Sequence, residues 1–170
     1  MSLSGILLYC LRAGAFAAVS CGVYVCICLL RRRPVRLRTL TATAYIAALI
    51  QITVLRGGVD WQKVSCGVRD AALLVPFGTT VKLLGGGLWN LIYNVVGNLI
   101  WFVPLGILLG RRSPLRALLS GVLLSAGIEL CQYILMTGCT DVDDVILNAL
   151  GALLGWVVYR AWLRLQKKRT

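Results

Sequence analysis

The chain has 170 residues, of which 59% are hydrophobic and only 14% charged, and its mean hydropathy is +0.83. A soluble domain carries about 25% charged residues, so too few polar groups exist here to coat a water-soluble globule, and disorder is excluded as well. The net charge of +12 therefore points to a membrane surface and not to nucleic acid. Histidine is absent, which removes Ser-His-Asp triads, Cys-His pairs and His-ligated zinc from consideration.

In chain order, Met1–Arg12 is apolar but lacks the basic start and small-residue cleavage site of a secretory signal. The span that follows it is therefore expected to be permanent. Apolar runs then predict five helices, at Ala13–Leu30, Leu37–Leu55, Trp89–Leu109, Leu115–Met136 and Val142–Leu163. Each is near the ~20 residues that cross ~30 Å of hydrocarbon. The expected fold is all-α: a polytopic integral membrane helix bundle of about five transmembrane helices, forming one domain over residues 1–170.

Basic residues set the orientation. They cluster in Arg31–Arg38, at Arg111, Arg112 and Arg116, and in the tail from Arg160 to Arg169. These segments alternate with five spans, and the positive-inside rule places them in the cytoplasm. The N-terminus is then outside and the C-terminus inside. The long loop at about 56–88 and the short loop Thr137–Asp141 are extracytoplasmic. Within the long loop, the stretch LVPFGTTVKLL suits a re-entrant or interfacial segment. Trp89, Trp156 and Trp162 fall near span ends, where aromatic rings favour the headgroup level. Small residues at Gly14, Ala18 and Gly22, at Gly106 and Gly110, and at Gly151 and Gly155 predict close helix contacts.

Polar residues inside the spans carry the functional information. Asn90, Asn94 and Asn98 recur at i, i+4 and i+8; Glu129 and Gln132 are three apart; Asp141, Asp144 and Asn148 stand at i, i+3 and i+7. Each set is expected on one helix face, with Asp143 pointing elsewhere. From the assigned topology, Asn98, Glu129 and Asn148 lie roughly 10–14 Å below the outer surface at ~1.5 Å per residue. Three independently placed stripes at one height predict a polar pocket open to the extracytoplasmic side. A mid-span carboxylate costs about 2.5–3.5 kcal/mol on insertion scales, so Glu129 needs amide partners, a proton or a basic group. Arg56 and Arg69 in the outer loop are the leading basic candidates, with Arg12 a third. The bland alternative is that these groups only bond helices together.

The stretch NLIYNVVGNLIWFVPLGILLG, then SAGIELCQ, then DVDDVILNALGALLG resembles the VanZ-like family of bacterial membrane proteins. The matching positions are Asn94, Asn98, Phe102, Pro104 and Gly106; Glu129 and Gln132; and Asp141, Asp144, Asn148 and Gly151. Val75–Phe77 is similar to a further family element. The resemblance implies a multi-pass protein of the bacterial cytoplasmic membrane. It also implies a contribution to low-level resistance to teicoplanin, a glycopeptide with a fatty acyl chain, without remodelling of peptidoglycan precursors. Two positions depart from the family pattern: Cys139 stands where many members have a basic residue, and Leu73 where many have a polar one.

Two functions follow. In the first, the protein binds an amphiphile of the outer leaflet, such as a lipoglycopeptide or an envelope lipid. Its ligand-binding residues would come from Asn94, Asn98, Glu129, Gln132, Asp141, Asp144, Asn148, Arg56 and Arg69. In the second, it is an intramembrane enzyme acting on an envelope lipid through Glu129, Asp141 and Asp144. Glu129 and Asp144 are then the catalytic candidates. Asp141, Asp144 and Glu129 could ligate a divalent cation through oxygen, and no other cofactor is expected. A transport path is disfavoured, because the inner halves of the spans show no polar stripe. Most cysteines are expected to pack as small apolar side chains, and only Cys66 and Cys139, both in outer loops, are placed for a disulfide.

Overall fold

The computed structural model describes residues 3–55, 73–110 and 113–168, together with Val59 and Val64. Its helices are α1 (Leu3–Leu30), α2 (Leu37–Thr53), α3 (Gly78–Gly85), α4 (Leu88–Leu108), α5 (Pro114–Leu135) and α6 (Val142–Lys167). The backbone contacts divide the chain into two compact units, Met1–Val59 and Asp60–Thr170.

In the first unit, α1 and α2 pack on one another. The turn between them is set locally. Arg32 takes a left-handed conformation (φ 50°), and the Arg33 N–H returns to the Cys28 carbonyl at 2.8 Å. Pro34 follows, which cannot extend a helix backwards. The Arg36 N–H then donates to the Tyr24 hydroxyl at 3.2 Å, tying the start of α2 to the end of α1. The Cys21 thiol donates to the Leu40 carbonyl at 3.7 Å.

In the second unit, α6 is the central element, packed most extensively on α4 and then on α5. The interface is built from missing side chains. A Cβ at Gly106 would fall on the Ala152 carbonyl oxygen and lie 2.8 Å from Gly155 Cα. A Cβ at Gly151 would fall on the Leu99 carbonyl oxygen, and one at Gly155 on that of Val103. On the other side, a Cβ at Gly121 of α5 would be 2.9 Å from Ala149 Cα. Backbones approach this closely only where small residues face each other. Gly14 and Gly22 differ from the expectation: a Cβ at either meets nothing within 4 Å. Small-residue spacing on α1 is therefore not matched by a seat for another backbone among the described residues.

The unit is apolar outside, and apart from Phe102 and Ile128 its buried side chains are small or polar. Leu88, Trp89, Tyr93, Ile100, Leu123, Leu130, Val157 and Trp162 are exposed, whereas Ala117, Ser125, Ala149 and Ala152 are buried. That is the arrangement of a bundle whose solvent is lipid. Part of α1 (Cys10–Leu30) and the whole of α4, α5 and α6 are long and apolar enough to cross a membrane. The remaining expected span, α2, has 17 residues. The protein is a multi-pass membrane protein embedded in the bilayer.

Helix ends follow their sequence signals. Ser113 caps α5 by accepting from the Arg116 N–H, with Pro114 in the first turn. Asp141 caps α6, whose first turn holds Asp143 and Asp144 and whose last turn holds Arg164 and Lys167. Acidic residues at the N-terminus and basic ones at the C-terminus both oppose the helix dipole. In the long loop, the expected re-entrant or interfacial segment is α3, entered through Phe77 in a left-handed conformation (φ 61°).

Candidate functional site

The site forms where the first turns of α6 meet α5, α4 and α3. Asp141 ends the loop after α5 in an extended conformation (φ −132°), and this lets its side chain and its N–H work separately. Its Oδ1 accepts from the Asp143 N–H at 2.9 Å, the usual N-cap bond. Its own N–H donates to Glu129 Oε2 at 2.9 Å. Glu129 is 5% exposed, and Asp141 is buried as well. A buried carboxylate without a donor would be costly, and here one oxygen has found the start of the next helix. The Thr140 hydroxyl adds a bond to the Glu129 carbonyl at 3.4 Å.

A short parallel bridge brings in the outer loop. The Leu73 N–H donates to the Thr140 carbonyl at 2.8 Å, and the Val142 N–H donates to the Leu73 carbonyl at 3.0 Å. Four residues on, the loop turns into α3 over Asp143. The Asp143 carboxylate accepts from the Phe77 N–H, from the Thr80 N–H at 2.9 Å and from the Thr80 hydroxyl at 2.9 Å. Asp143 thereby caps α3 from a distant point in the chain, and it is 1% exposed. The spacing sets Asp143 apart from the polar stripe of α6 without saying where it points. Asp143 does leave the face of Asp144 and Asn148, but it turns into an element that periodicity within α6 cannot reveal.

Lower in the bundle the amides take over. Asn98 Nδ2 of α4 donates to Asp144 Oδ1 of α6, and Asn148 Nδ2 of α6 donates to Ser125 Oγ of α5 at 2.8 Å. Asn148 Oδ1 and Asn94 Oδ1 are buried with no hydrogen-bond partner, as are the hydroxyls of Thr79 and Thr137. Such atoms cost free energy unless something else satisfies them. Ser125 was not among the sequence candidates. Its only signal was a four-residue step to Glu129 on the same helix.

The asparagine stripe is less uniform than its spacing suggests. Residues at i, i+4 and i+8 drift by about 40° per step around a helix of 3.6 residues per turn. Asn90 is exposed and returns its amide to the Gly86 carbonyl at 3.0 Å, Asn94 is half-buried, and Asn98 reaches α6. Beside the upper part of the stripe lies a depression of about 550 Å3, lined by Trp89, Asn90, Ile92, Tyr93, Val96 and Gly97. Gln132, one turn beyond Glu129, lies against the turn at Gly138, where a Cβ would be 3.1 Å from its Cδ.

The proposed cation ligands Glu129, Asp141 and Asp144 are each engaged by N–H donors. Among the described residues, no group of three or more His, Cys, Asp or Glu side chains is placed to hold a metal ion. Arg56 and Arg69, the expected basic partners, lie outside the described residues, as does Cys66 of the expected disulfide.

The sequence profile of the VanZ/LLP1 family matches residues 42–164. The chain is also similar to a protein of Enterococcus faecium named Protein VanZ, 35% identical over 70 residues. That match covers 39% of this chain and 44% of the enterococcal protein, so the chain spans less than half the length of the relative it matches. No solved structure matches the chain.

Proposed function

This chain belongs to the VanZ/LLP1 family, and from that premise we propose that it protects the bacterial cell envelope by binding an acylated glycopeptide of the teicoplanin class. The supporting observation is the pair of buried, unpartnered amide oxygens, Asn94 Oδ1 and Asn148 Oδ1, beside the fixed carboxylates of Glu129 and Asp144. Amide oxygens accept, and carboxylates keep acceptor capacity after one donor is bound. A guest rich in N–H and O–H donors suits this lining, and the backbone and sugars of a glycopeptide supply such donors. Its acyl chain would occupy the apolar depression on α4 at Trp89, Ile92, Tyr93 and Val96. Retention of the ligand in the membrane, away from its target, is the mode of protection.

This reading is preferred to lipid-modifying catalysis because the carboxylates are engaged. Glu129 and Asp141 hold the start of α6, and Asp143 holds α3. A general acid or base must move a proton to substrate, whereas a carboxylate with one oxygen bracing a helix start is suited to hold a guest's donor on its remaining acceptor sites.

The test is the minimum inhibitory concentration of teicoplanin and of vancomycin in a sensitive Gram-positive host. Strains carry empty vector, this protein, or Glu129→Ala at matched membrane levels. A rise for teicoplanin alone, abolished by the substitution, is expected. An unchanged teicoplanin value with wild-type protein in the membrane overturns the proposal.

A further inference from the structure

We propose that the α1–α2 unit binds an anionic phospholipid, with its phosphate among Arg31, Arg33 and Arg36 and one acyl chain between the two helices. The charge balance is the first argument. Residues 1–59 include seven arginines and no acidic residue, a formal excess of positive charge. A cytoplasmic-facing basic cluster next to a span is attractive to anionic lipid on electrostatic grounds alone. Here the cluster is also shaped. The turn folds back through the Arg33–Cys28 and Arg36–Tyr24 bonds. It thereby frames a cavity of about 510 Å3 lined by Tyr24, Arg31, Arg33, Arg36 and Thr39, among others. Guanidinium groups offer paired donors that match phosphate oxygens. The positive end of the α2 dipole lies at the same place, since α2 begins at Leu37.

An adjoining groove supplies the second argument. A depression of about 480 Å3 runs along Phe16, Thr43, Ile46 and Ile50 and shares Thr39 with the basic cavity. The Ser20 hydroxyl on its wall is spent on the Phe16 carbonyl at 2.8 Å, which leaves the groove apolar. From Thr39 to Ile50 the helix climbs roughly 16 Å, about half of a ~30 Å hydrocarbon core. A polar cavity and an apolar groove one leaflet deep, meeting at one residue, reproduce the layout of a phospholipid. Free inorganic phosphate would satisfy the arginines and leave the groove empty.

The test uses full-length protein in detergent micelles, with bound lipid read by native mass spectrometry after incubation with equal phosphatidylglycerol and phosphatidylcholine. Wild-type protein should retain phosphatidylglycerol at about tenfold higher occupancy than phosphatidylcholine, and Arg33→Gln/Arg36→Gln should remove that preference. Arg164→Gln/Lys167→Gln, which deletes the same charge from the tail, should change it by less than about twofold. Ile46→Trp, which fills the groove, should lower phosphatidylglycerol occupancy while leaving the arginines in place. Far-ultraviolet circular dichroism confirms that each variant keeps its helices. Equal retention by the Arg33/Arg36 variant, or equal loss in the tail variant, overturns the site. Displacement of phosphatidylglycerol by millimolar inorganic phosphate overturns the lipid in favour of a soluble anion.

Discussion

Glu129 Oε2 accepts the backbone N–H of Asp141 at 2.9 Å, so a side chain deep in α5 caps the first turn of α6. The bond needs only an acceptor at that position, which a glutamine amide oxygen also supplies. Glu129→Gln should therefore keep the fold, while Glu129→Ala leaves a buried N–H without its acceptor. The alanine variant should lose about 1–3 kcal/mol of stability, and the glutamine variant much less. Thermal unfolding of the purified proteins in detergent, followed by tryptophan fluorescence, checks the difference.

Asn98 and Asp144 join α4 to α6. The chemistry is symmetrical enough to be exchanged: Asn98→Asp places two carboxylates together, and Asp144→Asn replaces the charge with an amide. The Asn98→Asp variant should be the less stable of the two, and the Asn98→Asp/Asp144→Asn double variant should recover. Couplings between polar groups in membrane bundles average about 0.6 kcal/mol and reach about 1.7. A double-mutant cycle on unfolding free energy measures the term, and strict additivity would show that the bond contributes nothing.

The α4–α6 seam depends on the absence of side chains at Gly106, Gly151 and Gly155. Gly155→Leu should force the helices apart and cost more than the ~1–3 kcal/mol typical of overpacking, because the neighbour is backbone and cannot turn aside. Gly22→Leu on α1 is the matched control, with open space where its Cβ would go. Yield of monodisperse protein after extraction separates the two, and equal yields would contradict the packing described.

Asp143 holds the start of α3 through the Phe77 N–H and two groups of Thr80. Asp143→Ala should release that helix and leave the α6 cap at Asp141 intact, since the cap uses the Asp143 backbone. Hydrogen bonds to charged groups contribute about 1.5–3 kcal/mol. Amide exchange at Thr80 should accordingly accelerate by roughly tenfold or more, with exchange in α4 unchanged. Hydrogen–deuterium exchange mass spectrometry resolves the two segments.

Much of this arrangement was legible in the sequence, and the reason is physical. Apolar run length located the long helices, because a bilayer demands about 20 such residues. Asn98, Glu129, Asp141 and Asp144 are legible as polar residues in or beside apolar segments, where each must find a partner, but which of them pair is not. Asp143 falls off its stripe as the spacing predicts, but its destination is not legible there, because a helical wheel describes one helix and its partner is α3, entered through the Phe77 turn. Asp141 fell into its wheel only by coincidence: it precedes α6 and adopts extended backbone. Ser125 was missed because a serine in a span is cheap enough to need no explanation. Gly14 and Gly22 were over-read, since spacing says that a backbone can come close and not that one does.

The bridge between Leu73 and Asp141 also bears on how the protein is made. Everything from α3 to α5 lies between its two ends, and α6 leaves the ribosome after them. Until α6 arrives, Asn98 sits in the bilayer without Asp144, and Asp143 is not there to hold α3. A chain halted before Val142 would carry the Asn98 amide in hydrocarbon without its carboxylate partner, at a cost in free energy. The sixth helix thus completes the candidate site and, in the same step, supplies the partners that the earlier helices await.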